Sequence, residues 1–121
     1  SIDILDAKIV NLGVSFEIIA RRGFNKNIVL NECLRSLGEL FAIAPEIGQF
    51  LEITTIYKSL NLVEGVADTV NVDVFQKIGS LYADTFFDIE SAYSADRRFI
   101  RIPVDTIYEF KYSTDFEGTI R

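Results

Sequence analysis

From Lys8 to Ala20 apolar residues alternate with polar or small ones. Val10, Leu12, Val14, Phe16 and Ile18 share one parity, and Asn11, Gly13, Ser15 and Glu17 take the other. A period of two over this length is a long strand with one buried face. Such a strand has to sit in a sheet with a second layer over its apolar side. Gly13, inside the run, marks either a bulge or a close backbone approach.

Arg21, Arg22 and Gly23 end the strand, and Asn25 is placed to accept from the first free N–H groups of a helix. Leu30, Cys33, Leu34, Leu37 and Phe41 then recur at helical spacing, with Lys26, Glu32, Arg35 and Glu39 on the other side, so an amphipathic helix lies on the sheet. Pro45 stops it, and Glu46 to Gln49 connect to a short strand at Phe50 to Glu52. Thr54 or Thr55 is expected to cap a second, shorter helix carrying Ile53, Ile56, Tyr57 and Leu60, with Gly65 just past its end.

Val66 to Lys77 returns to strand periodicity, with Val70, Val72 and Val74 facing one way and Asn71 and Asp73 the other. A long strand, a helix and a further strand in one sheet favour a right-handed crossover, as in split βαβ domains. The expected fold class is therefore α+β: a split βαβ-like sheet with two helices over residues 1–78, then a β-rich C-terminal extension over 79–121. Thr85 to Glu90, Arg98 to Ile102 and Thr106 to Tyr112 read as its strands. Ser91 to Arg97 suits a hairpin turn, and Pro103 with Asp105 the next reversal. Ser113 to Arg121 is expected to be a tail ordered by a neighbouring chain.

The chain has 121 residues, 49% of them hydrophobic, which fits one domain. No apolar run approaches the ~20 residues of a membrane span, and no signal peptide is read. Methionine is absent, so a piece of a longer chain, its C-terminal part, is expected. A net charge of -6 repels a phosphate backbone, so no nucleic-acid partner is expected. The chain has no histidine, which removes Ser-His and Cys-His dyads and imidazole metal ligands. The single cysteine, Cys33, lies in the helical stripe and reads as a small core residue. No glycine spacing matches a phosphate loop. No enzyme activity, cofactor, metal or small-molecule substrate is expected.

Three groups remain as candidates. Asp88 and Glu90, two apart on an expected strand, share a face that suits a hard cation or an acid/base pair, but no compact acidic loop supplies the ~6 to 8 oxygens calcium takes. The plainer reading is a solvated face. Arg97, Arg98 and Arg101 form the one tight basic group and suit an acidic surface on another subunit, or this chain's own carboxylates. Tyr108, Phe110 and Tyr112 alternate on the strand that Thr106 begins. Phe110 reads as core, and Tyr108 and Tyr112 as interface residues, since a phenol carries a polar tip on an apolar body. Phe116 joins them as an interface candidate.

The run Tyr57 to Val74, YKSLNLVEGVADTVNVDV, resembles the short helix, Val-x-Gly-Val turn and strand near the C-terminus of baseplate wedge and baseplate J-like proteins. Gly79-Ser80-Leu81-Tyr82, Phe87-Asp88-Ile89-Glu90, Ser94-Ala95-Asp96-Arg97-Arg98, Ile102-Pro103 and Phe116-Glu117-Gly118-Thr119-Ile120 follow in an order and spacing similar to the wedge protein of T-even-type contractile-tailed phages. The opening Ile4-Leu5-Asp6-Ala7-Lys8-Ile9-Val10 and Asn25-Lys26 leading into Val29-Leu30 are similar too. Arg97-Arg98 departs from the family's Gly-Arg pair, which leaves the turn type open. The resemblance implies a structural subunit of the virion tail baseplate, assembled in the bacterial host cytoplasm. It pairs with a second copy of itself and with other wedge subunits to join wedges into a ring. The alternative is a small-molecule-binding regulatory module of split βαβ type, whose mark would be a pocket with convergent polar groups.

Overall fold

The computed structural model describes residues 7–121. The first three residues of the family-like opening, Ile4 to Asp6, lie outside the described residues. The chain forms an α+β fold in two main layers. Strand β1 (Lys8–Ala20, 13 residues) is the spine of the sheet, and helices α1 (Lys26–Leu40) and α2 (Ile53–Asn61) lie on one face. Between them runs β2 (Leu51–Glu52). Then follow β3 (Val66–Gln76), the short helix α3 (Ile89–Ala92), β4 (Phe99–Ile100), β5 (Thr106–Glu109) and β6 (Phe116–Ile120).

The expected alternation of β1 holds on its apolar side. Val10, Leu12, Val14, Phe16 and Ile18 are all buried, packed with Val29, Cys33 and Leu37 of α1 and Ile53, Ile56 and Leu60 of α2. Each such side chain contributes roughly 1.5–3 kcal/mol. Asn25 caps α1 as expected, accepting from the N–H groups of Asn27 (3.0 Å) and Ile28 (3.2 Å). The buried centre of α1 is Val29, Cys33 and Leu37, while Leu30, Leu34 and Phe41 are half-buried at its side. A hydroxyl pair, Ser36 with Ser59 at 2.8 Å, joins the two helices.

Helix α2 differs from expectation at its start. Glu52 occupies the N-cap position with no side-chain cap bond, so neither Thr54 nor Thr55 caps it. The N–H of Ile53 donates instead to the Arg98 carbonyl (2.7 Å), because β2 and β4 form a small antiparallel ladder there. Gly65 ends the turn after α2 at φ 93°, and a Cβ on it would sit 2.7 Å from Phe24 and Val29, so both backbone and packing exclude other residues.

The sheet pairing also differs. β3 runs antiparallel to β1, not parallel through a right-handed crossover. Parallel neighbours come later in the chain: β5 pairs with Lys8 to Asn11, and β6 with Val14 to Ile18, along the same edge of β1. β3 carries two irregularities, since Glu17 pairs with Asn71 but Ile18 with Thr69, and Ile19 with Asp68 but Ala20 with Val66. Val70 and Ala67 are thereby left over. The first bulge flips the alternation, so Thr69 is buried while Val70 is 41% exposed, against the expected single face of Val70, Val72 and Val74.

Three expectations for the C-terminal third are corrected. Thr85 to Glu90 is not a strand, because Asp88 caps α3 by accepting from Ser91 N–H and Oγ. Arg98 to Ile102 and Thr106 to Tyr112 shorten to β4 and β5. Ser113 to Arg121 is not a tail awaiting a neighbour, since Phe116–Ile120 completes the chain's own sheet as β6. The turns at Ser94 to Arg97 and at Pro103 to Thr106 fall where expected, closed by Arg97 N–H to Ser94 O (2.9 Å) and Thr106 N–H to Pro103 O (3.0 Å).

Tyrosine hydroxyls hold the outer edge of β3. The Val72 N–H donates to Tyr57 Oη (3.1 Å) and the Val74 N–H to Tyr93 Oη (3.2 Å). Tyr93→Phe deletes one acceptor and strands a buried backbone donor, so a loss of about 1–3 kcal/mol is expected in urea unfolding. A change within error would show that water replaces the phenol.

Candidate functional site

The second face of β1, expected to be solvated, is largely covered. Asn11 is buried, accepting from Ala83 N–H (2.7 Å) and donating from Nδ2 to Glu109 (2.8 Å). Gly13 is a close approach and not a bulge. Its pairing with Phe75 is in register, and a Cβ there would meet the Phe75 ring at 2.7 Å and the Asp115 carbonyl at 3.1 Å.

Asp115 anchors this covering. It is buried between β5 and β6 and accepts from Tyr82 Oη (2.6 Å) and Tyr112 N–H (3.1 Å), with Lys77 Nζ at 3.9 Å. Lys111 Nζ ties down the Leu81 carbonyl (2.6 Å), and the Tyr82 and Tyr112 rings meet edge to face at 5.7 Å. The segment after β3 is thus strapped across the sheet by polar groups. The Tyr82 hydrogen bond to the Asp115 carboxylate, with burial adding, pushes the phenol from its ordinary value of 10.0 up to about 12.

The candidate residues fall on two opposite edges of the sheet. At the β3 side, Ser94 and Asp96 knit the hairpin turn. The Ser94 hydroxyl donates to Asp96 (2.7 Å) and accepts from the N–H of Arg98 (3.0 Å) and of Phe99 (3.2 Å). The Ser94 hydroxyl first, then the Arg98 N–H that Asp96 also accepts (3.2 Å), hold the Asp96 carboxyl below its usual range. Arg98 lies 3.8 Å from Asp96 and Arg97 3.6 Å from Glu90, all exposed, so these arginines pair within the hairpin region. The Arg97 guanidinium also stacks 3.9 Å from the centre of the Tyr93 ring. Arg101 stands over Phe99 at 5.7 Å and has no carboxylate within ion-pair distance among the described residues.

On the other side, Tyr108 is corrected from interface to core: it is buried at 5% exposure, because β5 turns its face under the loop after α1. Burial raises its phenol pKa. Phe110 packs on Phe41 (4.4 Å) and Phe116 (5.0 Å), as a core-lining residue should. Phe116 is half-buried in β6, and Tyr112, past the end of β5, is 39% exposed. Asp88 and Glu90 share no strand face: one caps α3 and the other lies in its first turn. Among the described residues no group of three or more metal-ligating side chains forms. Cys33 is fully buried, and burial pushes its thiol up to about 11, so it packs as a hydrophobe.

Among the shallow grooves on the surface are two beside the helices. One, of about 510 Å3, runs between α1 and α2 past Phe24, Ile28 and Leu62. The other, of about 800 Å3, follows the loop from Leu40 to Glu52. Among the described residues every buried side-chain polar atom already has a hydrogen-bond partner, so none is left aimed into either groove. Asn11 and Asp115 escaped the sequence reading. Their signal was weak: a single amide in a strand, and an Asp three residues past a Tyr in an apparent tail.

The geometry defines a two-layer α+β domain whose polar groups are spent on holding its own segments together. The chain matches no protein-family model and no curated protein.

Two outcomes are expected. Because the folded Tyr82 phenol titrates above its unfolded value, its contribution is fully present below pH 10.0 and is lost as the pH rises through about 12. Tyr82→Phe should remove that component from an alkaline unfolding curve, and a variant with the wild-type curve would refute the assignment. Arg97 sits at φ 57°, the left-handed region. Arg97→Gly and Arg97→Ala both lose the guanidinium contacts, so their difference isolates the backbone, and the glycine variant should be more stable by about 1 kcal/mol in thermal unfolding.

Proposed function

We propose that the chain is a structural domain of a contractile-tail baseplate wedge, acting by association and not by turnover, without a cofactor or metal. The observation that carries this reading is the ordered run of family-like segments from Tyr57 to Ile120. The surface supports it. Ile43, Leu62, Ile78, Leu81, Phe86 and Val104 lie in connections at 64% to 88% exposure, apolar area that this chain's folding leaves in water. Phe86 lines the hollow at the start of β1 together with Phe87, Lys8 and Pro103. The partners are a second copy and other wedge subunits, and the location is the virion tail.

Mass spectrometry of purified contractile tails from the source of this sequence tests the assignment. Peptides of this chain should be present at the level of other structural subunits, and tails that are complete without it would overturn the reading.

A further inference from the structure

Each edge of the main sheet has a distinct fate. On β1, Lys8 N–H donates to Asp105 O (2.8 Å) and Ala20 N–H to Arg121 O (3.0 Å), so even-numbered residues of β1 face β5 and β6 while odd-numbered ones face β3. On β3 the residues that point away from β1 include Val72, Val74 and Gln76, and tyrosine hydroxyls take the N–H groups of Val72 and Val74. On β5 the outward residues are Thr106 and Tyr108, and Thr106 is engaged twice: its carbonyl accepts from Gly48 N–H (2.7 Å) and its N–H donates to Pro103 O.

β6 is different. Arg121 N–H donates to Ile18 O (3.0 Å), so the odd residues of this segment face β1 and the even residues Phe116, Gly118 and Ile120 point outward. The Phe116 N–H is taken by Ser113 O. Among the described residues, nothing engages the N–H groups of Gly118 and Ile120 or the outward carbonyls of this strand. Open edges of this kind are templates for another strand.

The sequence of β6 fits itself. Antiparallel pairing about a twofold axis at Gly118 sets Gly118 against Gly118, Phe116 against Ile120 and Glu117 against Thr119. It joins even residues to even residues, the parity that the free groups require. Gly118 and Ile120 N–H groups then donate to Gly118 and Phe116 carbonyls of the other copy. A strand pair alone falls short of the ~1,200 Å2 a stable interface buries. Half-buried apolar groups stand along this same edge: Leu30, whose Cδ1 lies 2.9 Å from where a Gly118 Cβ would be, then Leu34, and Phe41 stacked 6.0 Å from Phe116.

We infer that β6 is the self-pairing surface of this domain, extending the sheet through antiparallel β6 contacts with a second copy. The inference rests on the assembly role proposed above and names the strand that performs it. Glu117 and Thr119 are exposed on the helix-free face, so charge placed there reads the register without touching the core.

Sedimentation equilibrium of the 121-residue chain from micromolar to millimolar concentration tests it. The wild-type chain should dimerise. Thr119→Lys, which faces Glu117 of the second copy twice by symmetry, should tighten the dimer, and Thr119→Glu should weaken it, each roughly tenfold. Ile120→Pro removes an N–H that points away from β1, so it should give a monomer with an unchanged far-UV circular dichroism spectrum. A dimer whose constant is the same in all three variants overturns the β6 assignment and leaves self-association elsewhere. A wild-type chain that stays monomeric, even as Thr119→Lys, overturns it too and leaves the edge to a different chain. Either result stands apart from the wedge assignment, which fails only if the chain is missing from tails.

Discussion

The enclosure of β1 is the constraint on which the rest of the molecule depends. This strand is hydrogen-bonded along both edges and covered over most of both faces, so its backbone and side chains together recruit β3, β5, β6 and the two long helices. Its apolar parity draws α1 and α2 down onto one side. The opposite parity buries an amide, Asn11, and a buried amide without partners is costly. That requirement is met only when Ala83 and Glu109 arrive from distant parts of the chain.

The edge that receives β5 and β6 has a large entropic cost, because its partners are separated from β1 by most of the sequence. The polar node at Asp115 offsets part of it. By taking Tyr82 Oη and Tyr112 N–H, Asp115 fixes the crossing between β5 and β6 and the strap beneath it as one unit. Two strands can then share a single edge of β1, each aligned with a different half.

The same logic sorts the surface. Along β3 the covering groups are side chains brought from outside the sheet: the phenols of Tyr57 and Tyr93, with Arg97 stacked on Tyr93 in turn. The basic group thus has an intramolecular role beside any external one. The Ser94-Ala95-Asp96-Arg97-Arg98 segment is likewise a hairpin device, since Ser94 and Asp96 spend their oxygens on local N–H groups. A motif that reads as a contact surface is here the staple that places Tyr93.

Local patterning determined β1, the capped start of α1, α2, the glycine turns and the burial of Cys33, because each follows from a period or a residue type acting over a few neighbours. It also determined the α+β class. Only tertiary structure decided that β3 runs antiparallel, that a bulge at Val70 turns Thr69 inward, that Tyr108 is core and that Phe116 to Ile120 is a strand of the same sheet. Those outcomes turn on which distant backbone groups are left unpaired once β1 is formed. A five-residue strand with a glycine at its centre carries no periodicity strong enough to announce that it will be the partner.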